Sequence, residues 1–114
     1  MDWGKVTYIF LSLMSLTTTA GFIYEPNAVA LFIAAGVNVL STILKIGVKN
    51  LLAAELLASS LVADLHLIPA FLVFVFVGNM QLAIALAIGA VIANIVSVAL
   101  SLIESAKSQD KDDY

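Results

Sequence analysis

The near-absence of charge between residues 6 and 103 limits what this chain can fold into more than any other feature. Only five of its thirteen charged side chains lie in that stretch: Glu25, Lys45, Lys49, Glu55 and Asp64. Hydrophobic residues make up 62% of the 114 and charged residues 11%, whereas about a quarter of a soluble domain is charged. The sequence therefore predicts a single-domain protein embedded in the lipid bilayer.

Composition also argues against several classes of function. The chain has no Cys and no Arg, and its net charge of −3 leaves no basic surface to follow a phosphate backbone, so no nucleic-acid partner is expected. No catalytic or cofactor motif occurs. A hydrolase set drawn from Ser59, Ser60, Asp64 and His66 has no spacing that fixes its geometry. We expect neither an enzyme nor a bound metal or cofactor.

Four stretches are long and apolar enough to cross the bilayer core, which takes about 20 residues. They are residues 6–24, 28–46, 51–77 and 80–103, followed by an acidic tail at 104–114. A cleavable signal peptide is the competing interpretation of the first stretch. The predicted fold is an all-α transmembrane bundle of four helices.

The third span is the ambiguous one. Its 27 residues would extend about 40 Å as one helix. Pro69 removes a backbone donor, which predicts a kink or break near residues 65–69. Its first half is either a tilted part of the same helix or an interfacial helix that leads into it.

The lysines predict the topology. With four crossings all five of them fall on one side, which indicates that both termini and the tail are cytoplasmic. A fifth crossing would move the tail lysines to the other side, against this rule. These topology determinants are Lys5, Lys45, Lys49, Lys107 and Lys111.

One segment of the second span resembles one of the fourth. Residues 38–44 align without a gap with residues 94–100, at an offset of 56. Both segments run in the same direction in a four-crossing topology, so the relation would be a parallel repeat of a helical hairpin. A chance match between common membrane residues is the alternative.

Small and polar side chains recur every three or four residues along three spans, and we call these rows the polar stripes. They comprise Lys5, Tyr8, Ser12, Ser15 and Thr19; Ala28, Leu31, Ala35, Asn38, Thr42, Lys45 and Lys49; and Ala83, Ala87, Ala90, Asn94, Ser97, Ser101, Glu104 and Ser108. The spacing predicts left-handed packing with each stripe facing a neighbouring helix or a lumen. Such side chains either bond helices together or line a permeation path, for which the candidates are Asn38, Thr42, Asn94, Ser97 and Ser101.

Three ionisable residues of the third span are candidates for gating or for linkage to an ion or proton: Glu55, Asp64 and His66. Ionisable groups are costly inside a membrane, so a functional role is the first interpretation of each one. Asp64 and His66 can share one site only if the backbone unwinds before Pro69. The structural alternative puts all three at the cytoplasmic interface, paired with Lys45 or Lys49.

Three runs, residues 16–22, 45–52 and 59–69, resemble a family of short, uncharacterised bacterial inner-membrane proteins. The resemblance covers most of the chain. It implies a bacterial inner membrane, but no activity and no functional residue.

The sequence favours a small channel- or transporter-like protein that forms homo-oligomers in the lipid bilayer, because a 12.0 kDa bundle has little interior to spare. The alternative is a non-transporting accessory or assembly subunit whose polar stripes bind a larger membrane complex.

Overall fold

The computed structural model describes residues 3–46 and 52–112, with the backbone alone at 105 and 107–112. Lys49 and the side chains of Lys107 and Lys111 lie outside this description. The elements are α1 (Trp3–Tyr24), α2 (Ala28–Lys45), α3 (Ala53–Leu72), a π-helical turn (Val73–Val77) and α4 (Met80–Asp112). The all-α prediction is confirmed. The first three helices end within a few residues of the predicted spans, whereas α4 continues as a helix well into the tail.

The four helices form a ring in which each packs against two neighbours. α1 and α3 both contact α2 and α4, so the hairpins α1–α2 and α3–α4 lie side by side. All four helices contain a segment long and apolar enough to cross a membrane: Trp3–Tyr24, Ala28–Lys45, Ala53–Val77 and Met80–Glu104. Large apolar side chains cover much of the outer surface, as expected where the surroundings are lipid.

Asparagine side chains begin α2 and α4. The side chain of Asn27, in extended conformation, accepts a hydrogen bond from the Ala30 amide at 2.8 Å. Asn79 accepts from the Leu82 amide at 3.0 Å. Each bond satisfies one of the amide groups that the first turn of a helix leaves free. Gly78 precedes Asn79 with φ of +78°, a conformation that glycine adopts without steric cost.

The irregular part of the third span lies just beyond Pro69. α3 passes through Pro69 to Leu72 without unwinding, and the wider π-helical turn follows at Val73–Val77. Gly78 closes this turn by donating its amide to the Val73 carbonyl at 2.8 Å. Asp64 and His66 therefore lie on one continuous helix and point to different neighbours.

An apolar cluster fills the interior at the end of the bundle near the two hairpin turns. Its large members pack against small ones, which lets the helix backbones approach closely. The Phe22 ring also meets the Phe74 ring edge to face, with centroids 5.3 Å apart. The cluster consists of Phe22, Leu31, Ala34, Leu67, Ala70, Ala83, Ala87 and Ala90.

His66 packs against α4 at the one place where a glycine makes room for it. Its Nδ1 lies 2.8 Å from the Val62 carbonyl oxygen one turn earlier, which holds the ring in place. A Cβ added to Gly89 would lie 2.7 Å from Nε2 of this ring, closer than real contacts. The helix contact between α3 and α4 therefore requires a glycine at position 89.

We predict that Gly89→Ala lowers the free energy of unfolding by about 1–3 kcal/mol, because overpacking forces the ring or the backbone to shift. Gly36→Ala is the matched control, since nothing lies within 4 Å of a Cβ added there. Reversible denaturation in detergent measures both. Adding His66→Ala to Gly89→Ala should recover stability, and equal stability of the two glycine variants would contradict this packing.

Candidate functional site

Most of the other buried residues form a column of polar side chains, which we call the polar column; the apolar Leu56, Ala63 and Ala93 are buried as well. All of its members are at most 7% exposed. The column includes every residue that the polar stripes suggested as lining a path. Its members are Tyr8, Ser12, Ser15, Thr19, Asn38, Ser41, Thr42, Lys45, Ser60, Asp64, Asn94, Ser97, Ser101 and Glu104.

The polar stripes thus face inward, with one correction on α2. Ala28 is exposed and Ala35 only half-buried, whereas Ala34 and Ser41 are buried in their place. The predicted stripe followed a strict alternation of three and four residues. The real buried face of α2 is set by contact with both α1 and α3, and it is therefore broader than one row.

Asp64 is held inside the bundle by two donors from α2. Asn38 Nδ2 donates to its Oδ1 at 2.5 Å, and Thr42 Oγ1 donates to its Oδ2 at 2.6 Å. Ser60 Oγ lies 2.6 Å from Thr42 Oγ1. Asp64 is 7% exposed near the middle of the Ala53–Val77 span. The carboxylate therefore lies in the interior of the bundle and not on its outer surface.

Asn38 has more capacity for hydrogen bonds than its neighbours use. Its Nδ2 also donates to the Ser60 carbonyl at 3.3 Å. Its Oδ1 is buried and has no hydrogen-bond partner among the described residues. Buried polar atoms are rarely left unpaired, so such an atom in a native interior calls for an explanation.

Lys45 lies in the column as well, at the end of α2. Its Nζ donates to Ser12 Oγ at 3.0 Å and to Ser97 Oγ at 2.8 Å, and it lies 5.7 Å from the centroid of the Tyr8 ring. The Asp64 carboxylate attracts it electrostatically. Lys45 is thus both a predicted topology determinant and a member of a polar stripe whose side chain lies inside the bundle.

An ion pair occupies the end of the column away from the apolar cluster. Lys5 Nζ lies 2.9 Å from Glu104 Oε2, and the Glu104 side chain is only 2% exposed. The first residue of the predicted acidic tail is therefore buried in the bundle. Ser97 and Glu104 are two turns apart on α4, about 10 Å, so charged groups occupy two levels of the column.

Between these levels and the apolar cluster, hydroxyl groups connect the helices. Ser12 Oγ lies 2.8 Å from Ser41 Oγ, and Ser15 Oγ donates to the Ala34 carbonyl at 3.1 Å. Asn94 Nδ2 donates to Ser15 Oγ at 3.4 Å, which joins α4 to α1. Buried polar side chains from all four helices thus pack together in the column.

The two other ionisable candidates do not join the column. Glu55 is exposed near the start of α3, and His66 is half-buried against Gly89. Of the three candidates on the third span, only Asp64 lies in the interior. Among the described residues, no group of three His, Cys, Asp or Glu side chains could hold a metal ion.

Four apolar helices around a polar interior define a small multi-pass membrane protein. The family model of DUF6394, a family of unknown function, matches residues 25–105, well over half of the chain, and the chain belongs to this family. Comparison with curated proteins and with solved structures found no match. The matched range contains Asn38, Lys45, Asp64 and Glu104, whereas α1 lies outside it.

We predict that Lys45 and Asp64 depend on each other for stability. Asp64→Asn leaves the Lys45 charge buried without its counter-charge, and Lys45→Met does the converse, so each should cost about 3 kcal/mol of unfolding free energy. The double variant should cost much less than the two losses added.

Reversible denaturation of the four proteins in detergent measures this coupling. Glu55→Gln is the matched control, because this carboxylate is exposed on the same helix, and it should change stability by about 0.5 kcal/mol or less. Additive losses in the double variant would mean that the two charges are independent.

Proposed function

We propose that the protein is a small channel- or transporter-like membrane protein and that the polar column is part of its permeation path. The burial of both Lys45 and Asp64 inside the bundle carries this proposal. A charged side chain at the centre of a span costs about 2.5–3.5 kcal/mol on insertion scales. Apolar packing would hold four helices together without that cost, and charged residues within spans mark ion or solute pathways.

In this proposal the structure corresponds to a closed state. The Lys5–Glu104 pair blocks one end of the column, and the apolar cluster blocks the other. Opening requires the hairpin α1–α2 to move relative to α3–α4. Bonds from Asn38 and Thr42 to Asp64, from Lys45 to Ser97, and from Asn94 to Ser15 cross that boundary.

The accessory-subunit alternative loses the feature on which it depended. It used the polar stripes to bind a larger complex, but these side chains are already bonded to one another within the chain. Self-association is a separate part of the proposal and would use the lipid-facing surface, because the polar stripes face the interior of the bundle. We also propose that the protein is not an enzyme.

We predict that liposomes containing the purified protein pass small solutes or ions faster than protein-free liposomes. Light scattering and electrical conductance screen neutral and charged solutes. Thr42→Val should raise the flux about tenfold, because it removes a hydrogen bond between the two hairpins and so destabilises the closed state by about 1–3 kcal/mol. Thr17→Val is the matched control, since Thr17 is bonded only to its own helix on the outer surface.

Two results would contradict the proposal. One is the absence of flux for every solute tested, with the protein shown to be folded and inserted. The other is an equal effect of the Thr42 and Thr17 substitutions, which would mean that the flux does not pass through the polar column.

We further propose a bacterial inner membrane, with both termini in the cytoplasm. The family resemblance and the lysine positions support this. Lys5 and Glu104 form an ion pair at one end of the bundle. In the proposed topology the start of α1 and residue 104 of α4 therefore lie on the same side of the membrane.

Single cysteines test this topology, because the chain has no Cys of its own. We predict that a membrane-impermeant maleimide labels Glu25→Cys and Gln81→Cys in intact cells. Ser108→Cys should react only after the cells are opened. Labelling of position 108 in intact cells would reverse the orientation.

A further inference from the structure

We propose that Asp64 is a proton-binding site in the polar column, which makes the proton the ion to which permeation is linked. The link to permeation rests on the proposed function, whereas the binding of a proton does not. The step adds one proton from water to Asp64 Oδ2 and forms one O–H bond. It needs no other reactant.

Thr42 provides a hydrogen bond for both protonation states. Its hydroxyl has one proton but two acceptors within reach, Asp64 Oδ2 at 2.6 Å and the Asn38 carbonyl oxygen at 3.0 Å. When Asp64 is a carboxylate, Thr42 donates to it. When Oδ2 is protonated, the acid donates to Thr42 Oγ1, and Thr42 turns its own proton to the Asn38 carbonyl. Only hydrogen atoms move.

The other contacts of this layer persist in both states. Asp64 Oδ1 still accepts from Asn38 Nδ2, because a carboxyl group protonated on one oxygen keeps a carbonyl on the other. Ser60 Oγ donates to Thr42 Oγ1, whose two lone pairs accept from both Ser60 and the acid. Protonation therefore leaves Asp64, Thr42 and Ser60 each with a partner.

The unpaired Asn38 Oδ1 shows that acceptors exceed donors in this layer when Asp64 is ionised. Buried acceptors without a donor are costly. One additional proton reduces this excess, although in this scheme the acid donates it to Thr42 and Asn38 Oδ1 keeps no donor.

Lys45 is the charged group that opposes this protonation, because its ammonium attracts the carboxylate. It comes from α2, and α1 and α4 contribute Tyr8, Ser12 and Ser97 around it. The other two charged residues of the bundle interior, Lys5 of α1 and Glu104 of α4, form an ion pair with each other. On α3 itself, Glu55 is exposed and His66 faces Gly89.

Infrared difference spectroscopy of the full chain in liposomes tests the proposal as the pH is lowered. We expect a carbonyl stretching band of a protonated carboxyl group that moves on carbon-13 labelling of aspartate. Carbon-13 aspartate also labels Asp2, Asp110, Asp112 and Asp113, so the contribution of Asp64 is the part of the band that disappears in Asp64→Asn. That part should persist in Glu55→Gln and Glu104→Gln.

Thr42→Val tests the geometry in a chain that keeps Asp64. The band should move to higher frequency, because the acid loses the acceptor of its proton, whereas Thr17→Val should leave it unchanged. If Asp64→Asn fails to fold, the part of the aspartate band that moves in Thr42→Val but not in Thr17→Val is assigned to Asp64.

The proposal is overturned if folded Asp64→Asn shows the same aspartate band as the wild-type protein, or if Thr42→Val leaves that band unchanged. A band from Asp64 without any flux would support proton binding and contradict the proposed permeation. Flux without a band from Asp64 would support the proposed permeation and contradict proton binding. The experiment therefore distinguishes the failure of one proposal from the failure of the other.

Discussion

The hydrogen bonds from α2 to the Asp64 carboxylate are the interaction on which the arrangement of the two hairpins depends. A bilayer has no water to solvate a charge, so a buried carboxylate must receive donors from protein. Asn38 and Thr42, one turn apart, present both donors to one face of α3. Because each distance allows little sliding, this contact sets the register between α2 and α3, and with it the position of α3–α4 beside α1–α2.

The interior consequently has two zones that are stabilised by different interactions. Near the hairpin turns, alanines and a few large apolar side chains pack closely and dispersion holds the helices together. In the rest of the bundle, hydroxyl, amide and charged groups satisfy one another across helix boundaries. In the function that we propose, the closed apolar end and the polar column that reaches an ion pair are the two parts of a gated path, and the Thr42 hydroxyl bonds to Asp64 in both of its protonation states.

Much of the fold was predictable because membrane helices obey simple rules of length and periodicity. The spans followed from apolar length, and the inward faces of α1 and α4 followed from polar residues spaced three and four apart. The site was less predictable. Asp64 was a candidate beside Glu55 and His66, and only packing separates them: α3 turns Asp64 toward α2, His66 toward Gly89 and Glu55 outward. Glu104 looked like the start of a tail because its partner, Lys5, is distant in sequence.

The sequence by itself determined that this is a helical membrane protein with four spans and inward polar stripes, because hydropathy and periodicity are properties of each segment alone. Tertiary structure decided which stripes meet. The contacts of Lys45 with Ser12 and Ser97, and of Asp64 with Asn38 and Thr42, join residues that are 22 to 52 positions apart. Such pairings depend on the rotation and register of each helix against its neighbours, which the pattern within any one helix leaves undetermined.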